Sequence, residues 1–368
     1  MKIGIIITHP TQFDVPIFKL GKDVIEVIYT NRSRITEVYD PELKKIISFQ
    51  QDNLEGYCYE IVPEKSGIRW LINKIKESNY DLLITNGYFN KFYIISLILG
   101  RFYAKKNAIR IDTVEYNNTG FFKRYYKSLI YYLIKLFVNQ FFVVGELAKL
   151  FLIKNGVKEN MIAYYGYISD NNLFINGSKL TSIEKYELRL KHNINEDKKI
   201  FLCISKHSLR EAPFDTLEAF AKIDRPDLYL LLIGDGPLHE DLKKRAIELN
   251  IVNICFAGYI NFNLLPKYYA ISDVFIHDSH DEPWGVSVQE AIACGLSVIA
   301  SNRVGSAYEM VIDGKNGFIF DVGDTDSLAK KIIAATHLNP VAKNKANLNV
   351  INRWNYANTL KSILETIN

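Results

Sequence analysis

The residues best suited to chemistry lie in one run, Asp281-Glu282-Pro283-Trp284-Gly285-Val286-Ser287-Val288-Gln289-Glu290-Ala291-Ile292-Ala293-Cys294-Gly295, with seven residues between its two glutamates. Glu282 precedes a proline, which biases its backbone towards an extended loop. Glu290 falls in the first turns of a helix expected to begin near Ser287 and to stop at Gly295. Such a turn offers the backbone N–H groups of Gly285, Val286 and Ser287 to a ligand. Orphan donors and the helix macrodipole together favour an anion there, most naturally a phosphate. A carboxylate on each side can accept hydrogen bonds from sugar hydroxyls. Standing alone, the pair would read as a cap and a solvated helix residue.

Strands must end beside such a loop to hold it. Apolar runs at Lys2 to Thr8, Val24 to Tyr29, Tyr80 to Thr85, Ala108 to Thr113 and Gln140 to Val144 alternate with segments of helical period. Continuous apolar runs with helices between them are what parallel strands covered on both faces require, so the fold class is α/β and doubly wound. The alternation stops at a polar interval, Ser169 to Lys199, and restarts with runs at Ile200 to Ser205, Leu228 to Ile233, Ile251 to Ala257, Val274 to Asp278 and Ser297 to Ala300. Helices are expected from near Phe214, Leu238, Asn263 and Val286. Two similar domains follow, 1–172 and 173–352. A terminal segment, 353–368, is expected to dock on one of them through Trp354, Leu360, Ile363, Leu364 and Ile367.

Composition narrows the function classes. A chain of 368 residues, 48% hydrophobic, has material for two or three cores. Its net charge of +4 is too small for a dedicated nucleic-acid binder. Cys58, Cys203, Cys255 and Cys294 lie far apart without a Cys-x-x-Cys spacing and read as reduced core residues. The apolar start, Met1 to Thr8, is too brief for a signal sequence and reads as a buried strand, which points to the cytoplasm. The stretches from Tyr93 to Gly100 and from Ser128 to Val138 fall short of the roughly 20 residues that span a bilayer. Charge is uneven: from Leu82 to Gly145 nine bases face only Asp112 and Glu115. Within that region Arg124, Lys127 and Lys135 share one helical face, and Tyr125, Leu129, Leu133 and Leu136 another. Two readings stand side by side, a peripheral helix on the anionic inner face of the cell membrane and a surface helix whose aromatics complete the core.

The run from Asp281 to Gly295 resembles the signature of the retaining nucleotide-sugar glycosyltransferases of family 4, whose GT-B fold comprises two Rossmann-like doubly wound domains facing across a cleft. The likeness continues through Ala300 to Glu309, Asp313 to Phe318 and the turn Leu232-Ile233-Gly234-Asp235-Gly236-Pro237. It implies that Glu282 contacts the transferred sugar and that Glu290 binds the ribose hydroxyls of the nucleotide. In the family an arginine and a lysine near the start of the C-terminal domain usually grip the donor diphosphate. Lys206, after Ser205, matches the first of these positions, whereas Ala212 stands at the second. Arg210 is assigned the missing charge, because a loop arginine can contact phosphate with two hydrogen bonds. Base contacts are expected around Gly258 to Ile260.

In the N-terminal domain, Thr8-His9-Pro10-Thr11-Gln12 resembles the His-Pro-x-Gln opening of a bacterial subset of the family. That likeness, and the gathering of ligands at the C-terminal ends of strands, places His9 and Gln12 at the site, Gln12 on the acceptor side. Asp112 matches a position where relatives turn a histidine or an acid towards the transferred sugar. His277-Asp278-Ser279-His280-Asp281 contains four potential metal ligands, but strand alternation separates His277 from Asp278. The family needs no bound divalent ion, so neither metal nor cofactor is expected beyond the donor itself, with a UDP-sugar first among the candidates.

The implied reaction moves a sugar from a nucleoside diphosphate to a hydroxyl acceptor, with retention, in the synthesis of surface glycans or lipid-linked saccharides. Two rivals remain: a nucleotide-sugar epimerase, and a non-catalytic partner subunit of the same fold. A Rossmann dehydrogenase would need glycines after the first strand, and Thr8 to Asp14 has none.

Overall fold

The computed structural model describes residues 1–31, 37–40, 45–48, 54–115, 121–211 and 213–367, leaving aside the side chains of 37–40, 45–48 and 121–127. The chain divides into two units, one built from Met1–Asp40, Lys45–Ile168 and Asn355–Asn368, the other from Ser169–Trp354.

The N-terminal unit contains strands β1 (Ile3–Ile7), β2 (Ile25–Tyr29), β3 (Glu37–Asp40), β4 (Lys45–Ser48), β5 (Cys58–Ile61), β6 (Leu82–Thr85), β7 (Lys106–Ile111), β8 (Gln140–Val143) and β9 (Ile162–Tyr164). Its helices are α1 (Val15–Leu20), α2 (Gly67–Ser78), α3 (Lys91–Tyr103), α4 (Phe121–Phe137) and α5 (Glu146–Lys154). Seven strands form a sheet in the order β5-β2-β1-β6-β7-β8-β9, and every pairing in it is parallel. β3 and β4 make a separate antiparallel hairpin. All five residues of β1 are buried, because its two faces are both covered. Ile3, Ile5 and Ile7 pack with Val15, Ile17 and Phe18 of α1, while Ile6 packs with Leu71 and Ile75 of α2 and Tyr93 of α3.

The second unit contains helices α6 (Asn171–Gly177), α7 (Ser182–Lys191), α8 (Phe214–Ala221), α9 (His239–Glu248), α10 (Leu265–Ala270), α11 (Val286–Ala293), α12 (Ala307–Met310), α13 (Thr325–Ala335) and α14 (Pro340–Arg353). Its strands are β10 (Lys199–Ile204), β11 (Leu228–Ile233), β12 (Ile254–Gly258), β13 (Val274–His277), β14 (Ser297–Ser301) and β15 (Gly317–Phe320). They form one parallel sheet in the order β12-β11-β10-β13-β14-β15. Both units thus have the doubly wound α/β architecture expected from the alternation.

Three local expectations need correction. The terminal segment is not one docking helix: Trp354 packs on Trp284 in the second unit, with ring centroids 4.9 Å apart. Asn355 then caps a new helix, α15 (Tyr356–Glu365), and Leu360, Ile363, Leu364 and Ile367 join the N-terminal core. Cys58 is exposed, since it opens the edge strand β5, so it is no core residue. The short strands β5, β9 and β15 and the β3–β4 hairpin were absent from the strand expectations. β5 and β9 are part-buried sheet-edge strands of four and three residues, shorter than the runs that mark the central strands. On α4 the aromatic Tyr131 does complete the core, with Ile134, while Leu129, Leu133 and Leu136 on the opposite side of the helix are exposed.

Each sheet has one place where the strand order reverses direction, between β1 and β6 in the first and between β10 and β13 in the second. Loops leaving the C-terminal ends of such neighbours diverge, and the crevice they leave is where open α/β sheets bind ligands.

Candidate active site

In the second unit the loops after β10 and β13 carry Ser205 to Glu211 and Asp278 to Gly285. Arg210 fastens one to the other at both of its ends. Its carbonyl accepts from the backbone N–H of His280 at 2.9 Å and from Ser279 Oγ at 2.9 Å. Its guanidinium donates to Glu282 Oε2 at 2.8 Å, to the Asp281 carbonyl at 3.0 Å and to the Glu211 carboxylate. Arg210 is therefore no free surface arginine but the partner of Glu282. The side chains of Arg210 and Glu282 are 32% and 19% exposed, so the pair is within reach of solvent and of any ligand.

Glu282 is also held through its backbone, which donates to the Arg303 carbonyl and accepts from Gly305 N–H, at 3.0 and 2.9 Å. Gly285 follows as the N-cap of α11 with φ 88°, the left-handed region that glycine enters at no steric cost. A Cβ there would press on Val304, Glu282 and His277 Nε2. Gly285 supplies no side-chain cap, which leaves the first-turn donors of Val286 and Ser287 open to an anion.

Glu290, on the same helix, is buried rather than solvated. It accepts from Ser169 Oγ and from Tyr269 OH, both at 3.1 Å. Burial pushes its carboxyl up to about 7, against the lowering effect of those two hydrogen bonds. Asp278 rises to about 7 for the same reason, while accepting from the backbone N–H and the hydroxyl of Thr216 in the first turn of α8.

Lys206 is half-buried, and its backbone N–H donates to Glu211 Oε2 at 3.1 Å. Burial lifts the Glu211 carboxyl above the usual range. Behind Lys206, the ring of His207 stacks on His239 with centroids 4.9 Å apart and Nδ1 atoms 2.8 Å apart. That spacing requires one ring to donate and the other to accept. Burial and the second imidazole hold His207 down to about 4, so the His207 ring is neutral at pH 7. Gly234 has φ 145°, and a Cβ there would sit 1.9 Å from the Ser205 carbonyl, so the glycine lets the two loops press together. Ser205 Oγ and His277 Nε2 are buried with no hydrogen-bond partner among the described residues. Ile260 is half-buried just past β12, while Ala212 lies outside the described residues.

In the N-terminal unit the first loop is pinned from beneath. Asp14 accepts from Thr11 Oγ1 at 2.8 Å and from Arg110 Nη1 at 2.7 Å, in a pair with side-chain exposures of 0% and 2%. Arg110 also donates to the carbonyls of Tyr165 and Gly166, and its guanidinium lies between the Tyr165 and Tyr167 rings at 4.0 and 4.3 Å. This staple fixes the loop that carries half-buried His9 and exposed Gln12. Asp112, just past β7, is exposed and accepts from Tyr167 OH at 3.0 Å. It lies one strand beyond the β1/β6 reversal. The loop after β6, Asn86 to Asn90, flanks that reversal, and Tyr93 behind it donates to Thr8 Oγ1 at 3.3 Å.

Sequence reading missed Arg110–Asp14 and the His207–His239 stack. The first carried a signal, a lone arginine inside the apolar run of β7, because a buried arginine requires a partner. The second joins residues far apart in the chain and carried none.

No helix among the described residues is long and apolar enough to cross a membrane. Among them, no group of three or more His, Cys, Asp or Glu is placed to hold a metal ion.

Residues 184–349 match the family described as "Glycosyl transferases group 1". The chain is 33% identical over 149 residues to the N-acetyl-alpha-D-glucosaminyl L-malate synthase of Bacillus anthracis, covering 40% of this chain and 38% of that one. It is 31% identical over 146 residues to the GDP-mannose-dependent alpha-(1-6)-phosphatidylinositol monomannoside mannosyltransferase of Mycolicibacterium smegmatis, covering 37% and 38%. It thus spans about two fifths of the length of these curated relatives. Among solved structures, Anabaena HepE in complex with UDP superposes with a TM-score of 0.77 at 18% identity, over 100% of this chain and 99% of that one. A glycosyltransferase from Rickettsia africae superposes with a TM-score of 0.75 at 19% identity, over 100% and 97%. Residues 184–349 are therefore similar to the glycosyl transferases group 1 family, in a chain whose two α/β units have the GT-B fold.

Proposed function

We propose that the protein is a retaining glycosyltransferase that moves a sugar from a nucleoside-diphosphate donor, a UDP-sugar first among the candidates, to a hydroxyl acceptor. One observation carries the reading: a half-exposed Arg210–Glu282 pair at the strand reversal, beside the uncapped start of α11. In this reading the donor diphosphate competes with Glu282 for Arg210, and Lys206 adds a second positive charge. Those groups and the N–H donors of Val286 and Ser287 stabilise the charge that develops on the leaving diphosphate. Glu282, released from Arg210, orients the sugar and favours positive charge on its ring. Glu290 accepts from the ribose hydroxyls, and Ile260 and Ser205 line the nucleotide. The acceptor hydroxyl attacks from the leaving-group face and passes its proton to a phosphate oxygen.

Asp112, His9 and Gln12 are assigned to the sugar and acceptor. The named relatives act on an inositol lipid and on malate, and HepE holds UDP. These support a nucleotide-sugar donor, and together with the basic N-terminal region they favour a lipid-linked or membrane-proximal acceptor in the cytoplasm. The test is slow donor hydrolysis across UDP-, GDP-, ADP- and TDP-sugars by intact protein and by Glu282→Ala. One selective donor, with turnover lost in the variant, supports the reading. Turnover unchanged in Glu282→Ala refutes the role of Glu282, and no binding by folded protein shifts the assignment to a non-catalytic partner subunit.

A further inference from the structure

His277 is the last residue of β13, where the loop to Glu282 begins. It is 5% exposed, and its Nε2 is buried with no hydrogen-bond partner among the described residues. A buried polar atom left without a partner destabilises a fold, so its presence calls for a reason. The ring is held in place. It stacks on Phe275, which strand alternation puts on the same side of β13, with centroids 6.0 Å and planes 28° apart.

The unpartnered nitrogen lies against the side chain of Glu282. A Cβ built on Gly285 would be 3.2 Å from His277 Nε2 and 3.2 Å from Glu282 Cγ, so the imidazole and the glutamate approach the same point. Only the left-handed glycine, with φ 88°, leaves room between them. Burial holds the His277 ring below its ordinary range, so it is neutral at pH 7. The charges acting on it are those of the pair: Glu282 favours a proton on the ring and Arg210 opposes one. A neutral imidazole has one N–H, and a ring whose Nε2 has no partner can carry it there for an arriving acceptor.

Glu282 accepts from Trp284 N–H through Oε1, at 3.3 Å, and from Arg210 through Oε2. A diphosphate that takes Arg210 deprives Oε2 of its cation, and a part-buried carboxylate then needs another donor. We propose that His277 is a positioning residue: its Nε2–H takes the carboxylate that Arg210 gives up and keeps Glu282 aimed at the sugar. The inference rests on the proposed exchange of Arg210 between Glu282 and the donor. No proton changes owner, since the imidazole stays neutral and donates a hydrogen bond.

The test uses the full chain, the sugar donor it hydrolyses fastest among UDP-, GDP-, ADP- and TDP-sugars, and the matching nucleoside diphosphate. His277→Phe keeps a ring in place and removes the nitrogen. It should leave the melting temperature unchanged or raised, hold KM within about twofold and lower kcat for donor hydrolysis about tenfold, the loss of one hydrogen bond to a charged group. His277→Gln, which restores an N–H donor, should recover most of that kcat, a rescue that a merely space-filling histidine does not give. In wild type labelled at its histidine nitrogens, the His277 Nε2 resonance, assigned by its absence in His277→Gln, should shift when the nucleoside diphosphate is added. An Nε2 resonance unmoved with the diphosphate bound overturns the proposal, whether or not His277→Phe folds. Unchanged kcat in folded His277→Phe overturns it as well. Wild type that hydrolyses no donor overturns the sugar-transfer reading, and this inference with it, before any variant is compared.

Discussion

The two strand reversals are fastened by the same chemistry at different depths. Below the first loop of the N-terminal unit, Arg110 and Asp14 form an ion pair closed off from water, with every described guanidinium contact made by the protein itself. At the second reversal, Arg210 and Glu282 form an equally short pair that solvent can reach. A buried pair is expensive to break, because either partner left alone is an uncompensated charge in a medium that solvates it poorly. A half-exposed pair exchanges partners at little cost, because water or a ligand takes over the contact. Arg110–Asp14 is thus scaffold, and Arg210–Glu282 is a contact that a diphosphate can replace.

Arg110→Met should break the comparison most severely. It is expected to destabilise the N-terminal unit by about 3 to 5 kcal/mol, read by denaturant unfolding, with much of the loss recovered when Asp14→Asn is added. Glu282→Ala should leave stability within about 1 kcal/mol and lower sugar transfer by about a hundredfold to a thousandfold, read as kcat/KM.

A smaller effect sharpens the role of Glu290. Burial pushes its folded carboxyl up to about 7, above the ordinary carboxylate range, so the folded protein holds a proton there across that window. This contribution to stability is present at low pH and is lost as pH rises through about 7. In the proposed role at the ribose, the ionised carboxylate is the better acceptor for the two hydroxyls, so nucleotide affinity should rise by about tenfold between pH 6 and pH 8. Glu290→Gln should flatten that profile in a binding titration. The smallest effect is expected from Arg210→Lys, which keeps the charge but loses the two-pronged contact; donor affinity should fall by about fivefold, read by calorimetry.

Much of this was legible in the residues. Parallel strands announce themselves as uninterrupted apolar runs because both faces are covered, as in β1 and β11, whose residues are all buried. The run from Glu282 to Glu290 placed two carboxylates around a helix start, and the structure brings Glu282, Gly285 and the α11 N-terminus together. Depth was less legible. Nothing in the spacing showed that Glu290 is buried against Ser169 and Tyr269, because those partners come from a distant crossover and from α10. Nor did it show that Arg210 holds Glu282, a contact across 72 positions. Which side of α4 meets the sheet was less legible for a related reason: periodicity shows that a helix has an apolar side, not which side faces the core.

The central claim is that Arg210 serves Glu282 when the site is empty and the donor diphosphate when it is filled. Its most direct test is the affinity for nucleoside diphosphate of wild type, Arg210→Ala and Glu282→Gln, measured by calorimetry. The account predicts at least about tenfold weaker binding for Arg210→Ala, the loss of a charge-assisted phosphate contact, and binding for Glu282→Gln equal to or tighter than wild type, since the guanidinium is then released. Unchanged affinity in Arg210→Ala, or binding lost in Glu282→Gln, would contradict it.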